Sequence, residues 1–193
     1  MAGTADVLTG VKQRLSVRYP VLVPNMKGLE SLLDLLRLQR TTQQALPLTN
    51  EIAIFTAASE SFCKANTNKS ILESLDTLAK VTEKALSAGA RSRKSLLEIH
   101  LWDDVGLLVR GYISTVDTCP FEGRIDPAKV KEIAAKLKDM GCYEISLGDT
   151  VGTAVPGTVT SLIDEVAKRV DIAHLAVCTV FVYTLDGLKY FYP

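Results

Sequence analysis

Apolar residues follow two rhythms along this chain. Short runs without polar alternation occur at Tyr19–Pro24, Glu51–Ala57, Val109–Ser114, Cys142–Leu147 and Ala173–Val182. Such runs suit strands covered on both faces, as in parallel sheets. Between them lie positions at helical spacing. Ser70-Ile71-Leu72-Glu73 is a capping box, followed by Leu75, Leu78, Ala79, Thr82 and Leu86 and closed by Gly89. Asp126-Pro127 places an N-cap before a first-turn proline; Val130, Ile133, Ala134 and Leu137 form the stripe, and Gly141 ends it. Pro156 opens a third helix with Val159, Leu162, Ile163 and Val166 on one face. Strand–helix–strand units of this kind predict an α/β fold with a parallel sheet and right-handed crossovers.

Two stretches break the rhythm, Leu35–Thr49 and Ala90–Leu108. Helix-to-strand links usually take about two to six residues, so both segments read as inserted. The tail carries a further pattern: Val180–Tyr183 and Lys189–Tyr192 flank Asp186-Gly187 as in a hairpin.

Composition narrows the class. The 193 residues suffice for one domain, and 22 basic side chains balance 22 acidic ones. A neutral chain lacks the basic field that nucleic-acid or anionic-membrane binding requires, so neither partner is expected. The cysteines Cys63, Cys119, Cys142 and Cys178 form no Cys-x-x-Cys pair, which argues against a disulfide scaffold or structural zinc and for an intracellular protein. No apolar run has membrane-spanning length, and no targeting segment stands out after Met1.

Reactive groups in parallel α/β folds gather where strands lead into helices. Those positions hold Asn25 and Lys27, then Ser59, Glu60 and Ser61, then Ser114, Thr115 and Asp117, and finally Asp149 and Thr150. The most pointed is Gly148-Asp149-Thr150-Val151-Gly152, a carboxylate between glycines directly after an apolar run. Asp149 either contacts a metal or substrate hydroxyl, or holds the turn as an Asx-type cap; position alone leaves both open. His174, at the start of its strand, reads as structural. His100, beside Trp102 in the second inserted segment, carries little functional weight. Cys119 has no identifiable base nearby and reads as a packed thiol. The glycines at 148, 152 and 157 make no Gly-x-Gly-x-x-Gly, and no P-loop lysine follows.

Several blocks taken together resemble 3-hydroxy-3-methylglutaryl-CoA lyase. They are Tyr19–Leu29, Ala57–Phe62 with Asn66–Asn68, Val109–Ser114, Cys119–Gly123 and Gly141–Gly152, in the family's order. The resemblance implies a metal-dependent (β/α)₈ barrel, using Mg²⁺ or Mn²⁺, that cleaves an acyl-CoA substrate to acetyl-CoA and acetoacetate. It implies a place in leucine breakdown and ketone-body formation, and a mitochondrial location, otherwise a cytoplasmic one. Asp149 carries over as the catalytic acidic residue, and Asn25 and Ser146 as substrate-binding positions. The family's metal-binding His-x-His falls on Cys178-Thr179-Val180, so both histidines are replaced and no metal ligand carries over.

The resemblance further implies a shortened form: residues 1–193 make one partial barrel of four to five parallel strands, with a divergent tail over 178–193. A full barrel of about 250 residues removes its sheet edges by closing. A partial one keeps open edges, through which a homodimer or other association is expected. The functional expectation is a lyase by descent, inactive alone. The alternatives are a non-catalytic partial-barrel interaction protein or truncated gene product, or another acyl-CoA metallolyase or synthase of the same superfamily.

Overall fold

A computed structural model describes residues 3–14, 17–40, 47–88 and 106–179. The chain order is α1 (Thr4–Gly10), β1 (Val21–Leu22), α2 (Met26–Arg40), β2 (Glu51–Ala57), α3 (Glu60–Thr67), α4 (Ile71–Ser87), β3 (Leu108–Ser114), β4 (Thr118–Cys119), β5 (Gly123–Arg124), α5 (Pro127–Asp139), β6 (Glu144–Asp149), α6 (Pro156–Val166), a 3₁₀ turn (Ile172–His174) and β7 (Leu175–Thr179). Strands β1-β2-β3-β6-β7 form one parallel sheet in that spatial order; β4 and β5 make a small antiparallel hairpin. The α/β class, a parallel sheet flanked by helices, is thus the observed architecture.

Local chemistry explains the elements. Ser70 Oγ accepts from Glu73 N–H while the Glu73 carboxylate accepts from Ser70 N–H, so α4 starts on the capping box read from the sequence. Asp126 accepts from Ala128 N–H ahead of Pro127 and starts α5. Gly141 then turns with φ +101°, where a Cβ would also meet Leu86 Cδ1 at 2.7 Å, so a side chain there fails twice.

Strand bounds differ from the apolar runs where the backbone lacks donors or curls. β1 is confined to Val21–Leu22 because Pro20 and Pro24 have no N–H for the ladder. The run at Ala173 enters as the 3₁₀ turn, capped by Asp171, which accepts from Ala173 N–H, and extends only from Leu175. Helices α2 and α3 and the β4–β5 hairpin are additions to the pattern expected from the sequence. Residues 35–40 of the first inserted segment complete α2. Residues 41–46, most of the second inserted segment with His100, and the tail from Val180 with its expected hairpin lie outside the described residues.

Pleating divides the sheet into two faces. Ile52, Ile54, Val109, Ile113, Ile145 and Leu147 are fully buried on one side. They pack with Leu75, Leu78 and Val81 of α4, Val130 and Leu137 of α5, and Leu162 and Val166 of α6. On β3, buried Val109, Gly111 and Ile113 alternate with half-buried Arg110, Tyr112 and Ser114. Register places Ala53, Arg110 and Glu144 in one row and Phe55, Tyr112, Ser146 and Ala176 in the next, on this second face.

Candidate functional site

The carboxyl ends of β2, β3 and β6 are tied edge to edge. Ala58 N–H donates to Ser114 O at 2.9 Å, and Val116 N–H to Gly148 O at 3.2 Å. Thr115, buried with φ +57°, donates its N–H to Thr150 Oγ1 at 2.8 Å. A non-glycine residue held in that left-handed region stores strain, here supported by its neighbours.

Asp149 closes β6 and is only 3% exposed. Its Oδ1 accepts from Gly152 N–H at 3.0 Å and Thr153 N–H at 3.3 Å, and its Oδ2 accepts from Ala154 N–H at 3.0 Å. Both oxygens are engaged by the loop that leads to α6, so the carboxylate holds that turn.

A second acid stands beside it. Asp117, 6% exposed, accepts from Arg124 Nη1 at 3.0 and 2.8 Å, from Thr118 Oγ1 at 3.0 Å and from Thr153 Oγ1 at 3.3 Å. This clamp fastens β5 to the loops after β3 and β6. Ser59 Oγ donates to the sulfur of buried Cys119 at 2.9 Å. Glu122 accepts from Ser61 N–H at 2.6 Å, and that amide holds its carboxyl below the usual range. The hairpin is thus pinned over the start of α3.

At the opposite end of the strands lies a charge network. Glu51, fully buried, accepts from Arg110 Nε at 2.9 Å and Tyr143 OH at 2.7 Å; Arg110 also pairs with Glu144 at 3.0 Å. Burial works against the Arg110 charge, but Tyr143, Glu51 and Glu144 outweigh it and raise the guanidinium above its ordinary value. Burial, and then the bond to Glu51, pushes the Tyr143 phenol up. The network joins β2, β3 and β6 at the end associated in barrels with stability.

Of the other expected site residues, Asn25 is exposed and its Oδ1 accepts from Gly28 N–H at 3.0 Å at the start of α2. Ser146 is buried in the row of Tyr112 and Ala176, three residues before Asp149 on its strand. Cys178 is exposed opposite Gly148, and Thr179 sits opposite Asp149. Val180 lies outside the described residues. His174 Nδ1 lies 2.7 Å from Tyr143 O, a structural contact. Asp149 and Asp117 come together through Thr153, whereas Asn25 belongs to a different loop. Arg124 and Thr153 had no local signal, because their partners are set by tertiary pairing.

The HMGL-like family model matches residues 35–180. The chain belongs to this family of hydroxymethylglutaryl-CoA lyases. It is 41% identical over 177 residues to the mitochondrial hydroxymethylglutaryl-CoA lyase of Bos taurus, covering 92% of this chain and 46% of that protein. It is also 41% identical over 178 residues to the cytoplasmic 3-hydroxy-3-methylglutaryl-CoA lyase of Rattus norvegicus, covering 92% and 43%. The crystal structure of the HMG-CoA lyase from Brucella melitensis superposes with a TM-score of 0.74 at 35% identity, over 92% of this chain and 52% of that one. The chain spans about half the length of the curated relatives it matches. Its sheet is therefore part of the family's barrel. Among the described residues, no helix is long and apolar enough to cross a membrane.

The divalent ion of the family's chemistry does not fit the side chains described here. Hard cations such as Mg²⁺ and Mn²⁺ need several oxygen or imidazole donors facing one point. Asp149 is oriented by three loop amides, and the neighbouring strand offers the soft sulfur of Cys178 rather than an imidazole. Among the described residues, no group of three or more His, Cys, Asp and Glu converges in a way that could hold an ion.

Proposed function

We propose that this polypeptide carries the central strands of a hydroxymethylglutaryl-CoA lyase and, by itself, does not turn over 3-hydroxy-3-methylglutaryl-CoA. The observation that carries this reading is that Asp149 holds its own loop through three amides and, among the described residues, no further His, Cys, Asp or Glu converge with it on one point. The replacement of the expected His-x-His by Cys178-Thr179-Val180 points the same way.

In this reading the loops after β2, β3 and β6 keep the lyase scaffold without its ion. Ser146 lines the wall on which an acyl-CoA substrate would rest, and Asn25 braces the α2 end of the same rim. The carbon–carbon bond stays intact because no ion site among the described residues holds the substrate's hydroxyl and carboxyl oxygens while the hydroxyl proton is removed. The corresponding location is that of the named relatives, mitochondrial or cytoplasmic.

The test is acetoacetate release from 3-hydroxy-3-methylglutaryl-CoA with Mg²⁺ or Mn²⁺ titrated into the purified chain. Release equal to the protein-free blank at every metal concentration is expected. Saturable turnover would overturn the reading.

A further inference from the structure

At the amino ends of β2, β3 and β6 the charges do not cancel. The carboxylates of Glu51 and Glu144 both face the single guanidinium of Arg110, which leaves one negative charge over. Tyr143 adds only a neutral hydroxyl, donated to Glu51. Arg18 is exposed and lies 5.5 Å from the centre of the Tyr143 ring; among the described residues it forms no ion pair with either carboxylate. Two oxygens of the group also go without a hydrogen-bond donor among the described residues. Glu51 is fully buried; its Oε1 takes both Arg110 and Tyr143, while its Oε2 is closed to solvent and accepts from neither. Glu144 Oε1 stands 3.0 Å from Arg110 Nη1 without the alignment of a hydrogen bond, and it too is closed to solvent. A buried acceptor without a donor and a buried charge without a counter-charge are both destabilising.

We propose that a small monovalent cation, of the potassium or ammonium class, binds this group through Glu51 Oε2 and Glu144 Oε1. Register brings the two carboxylates to the same guanidinium: Arg110 stands opposite Glu144 on one side and Ala53 on the other, and Glu51 lies one pleat before Ala53 on the same face. One positive charge cancels the surplus. A water molecule would satisfy the oxygens but leave the charge. A divalent ion would overshoot it, and such ions take about six or more oxygen donors. Among the described residues no three His, Cys, Asp or Glu converge to supply that many. Arg110 and Glu144 keep 25% of their side-chain surface exposed, which gives the ion a way in. The group lies at the opposite end of the strands from Asp149, so the inference does not depend on whether the chain turns over a substrate.

Thermal unfolding of the 193-residue chain in KCl, NH₄Cl or NaCl, against choline chloride at the same ionic strength, tests it. Choline is a bulky cation with no N–H to donate. In KCl or NH₄Cl the midpoint should rise saturably, by about 3–6 °C at a concentration tenfold above the dissociation constant. Glu144→Gln removes the surplus charge at a partly exposed position and should abolish the rise. Glu132→Gln, in the exposed pair with Arg169 on α5, should leave it unchanged. Calorimetric titration of KCl and NH₄Cl into the unsubstituted chain in choline buffer gives a second readout that needs no variant, with saturable heat expected from one of the two. Equal midpoints in all four salts together with no saturable heat would overturn the proposal. So would a salt effect that survives Glu144→Gln unchanged, or a midpoint that rises on acidification and ignores the cation, which would put a proton where the ion is proposed.

Discussion

The hydroxyl of Thr153 donates to Oδ2 of Asp117 at 3.3 Å, joining the loop after β6 to the loop after β3. The amide of the same threonine is held by Asp149. Two buried acids, 32 positions apart in sequence, therefore act on one residue, and neither retains a carboxylate oxygen without a protein donor. The carboxyl-end rim of this sheet is built to hold itself.

Asp149→Asn tests that statement through stability. The amide nitrogen would face backbone N–H groups, leaving at least one of them unpaired in a buried loop. The expected cost is about 1–3 kcal/mol in urea unfolding. A residue that served only to contact substrate would leave the unfolding midpoint unchanged.

Arg124→Ala removes two of the four contacts to Asp117 and loosens the hairpin in which Cys119 is packed against Ser59. Because the Arg124 side chain is 62% exposed, a loss of about 1 kcal/mol is expected. Labelling of Cys119 by a thiol reagent should accelerate by a larger factor than global stability predicts.

Glu51→Gln acts at the other end of the strands. It leaves the half-buried Arg110 with only Glu144 as a formal counter-charge and weakens the bond from Tyr143. Breaking a buried pair from one side costs about 3–5 kcal/mol, so this variant should be the least stable of the three by denaturant midpoint.

Stability should fall in alkali. Burial pushes the Cys142 thiol from 9.0 up to about 12. The folded state therefore keeps a proton that the unfolded chain releases, so the stability this group contributes is full below about pH 9 and is lost as pH rises toward 12. Unfolding free energy measured between pH 8 and pH 11 should decline, and Cys142→Ala should flatten the decline. An equal slope in the variant would assign the effect elsewhere, with Tyr143, also raised, as the next candidate.

What could be read from the residues followed the range of the interactions. The ranges of β2 and β3 and the starts of α4 and α5 were legible because their determinants are local: an apolar run, a capping box, an Asp-Pro pair. The hairpin was not, because β4 and β5 are two residues each and are fixed by Asp117, Arg124 and Glu122 reaching across loops. The Glu51–Tyr143 bond spans 92 residues and has no local signature. Asp149 was visible as a residue of interest but not as a role, since a strand-end carboxylate suits a ligand or a turn equally. The direction of three amides decides what it does here.

The most direct measurement is the electron paramagnetic resonance signal of Mn²⁺ titrated with the purified chain. If Asp149 is committed to its own loop and the neighbouring strand offers no imidazole, the signal of the hydrated ion should persist in full at stoichiometric protein. Loss of one equivalent of that signal, restored by Asp149→Asn, would contradict the account.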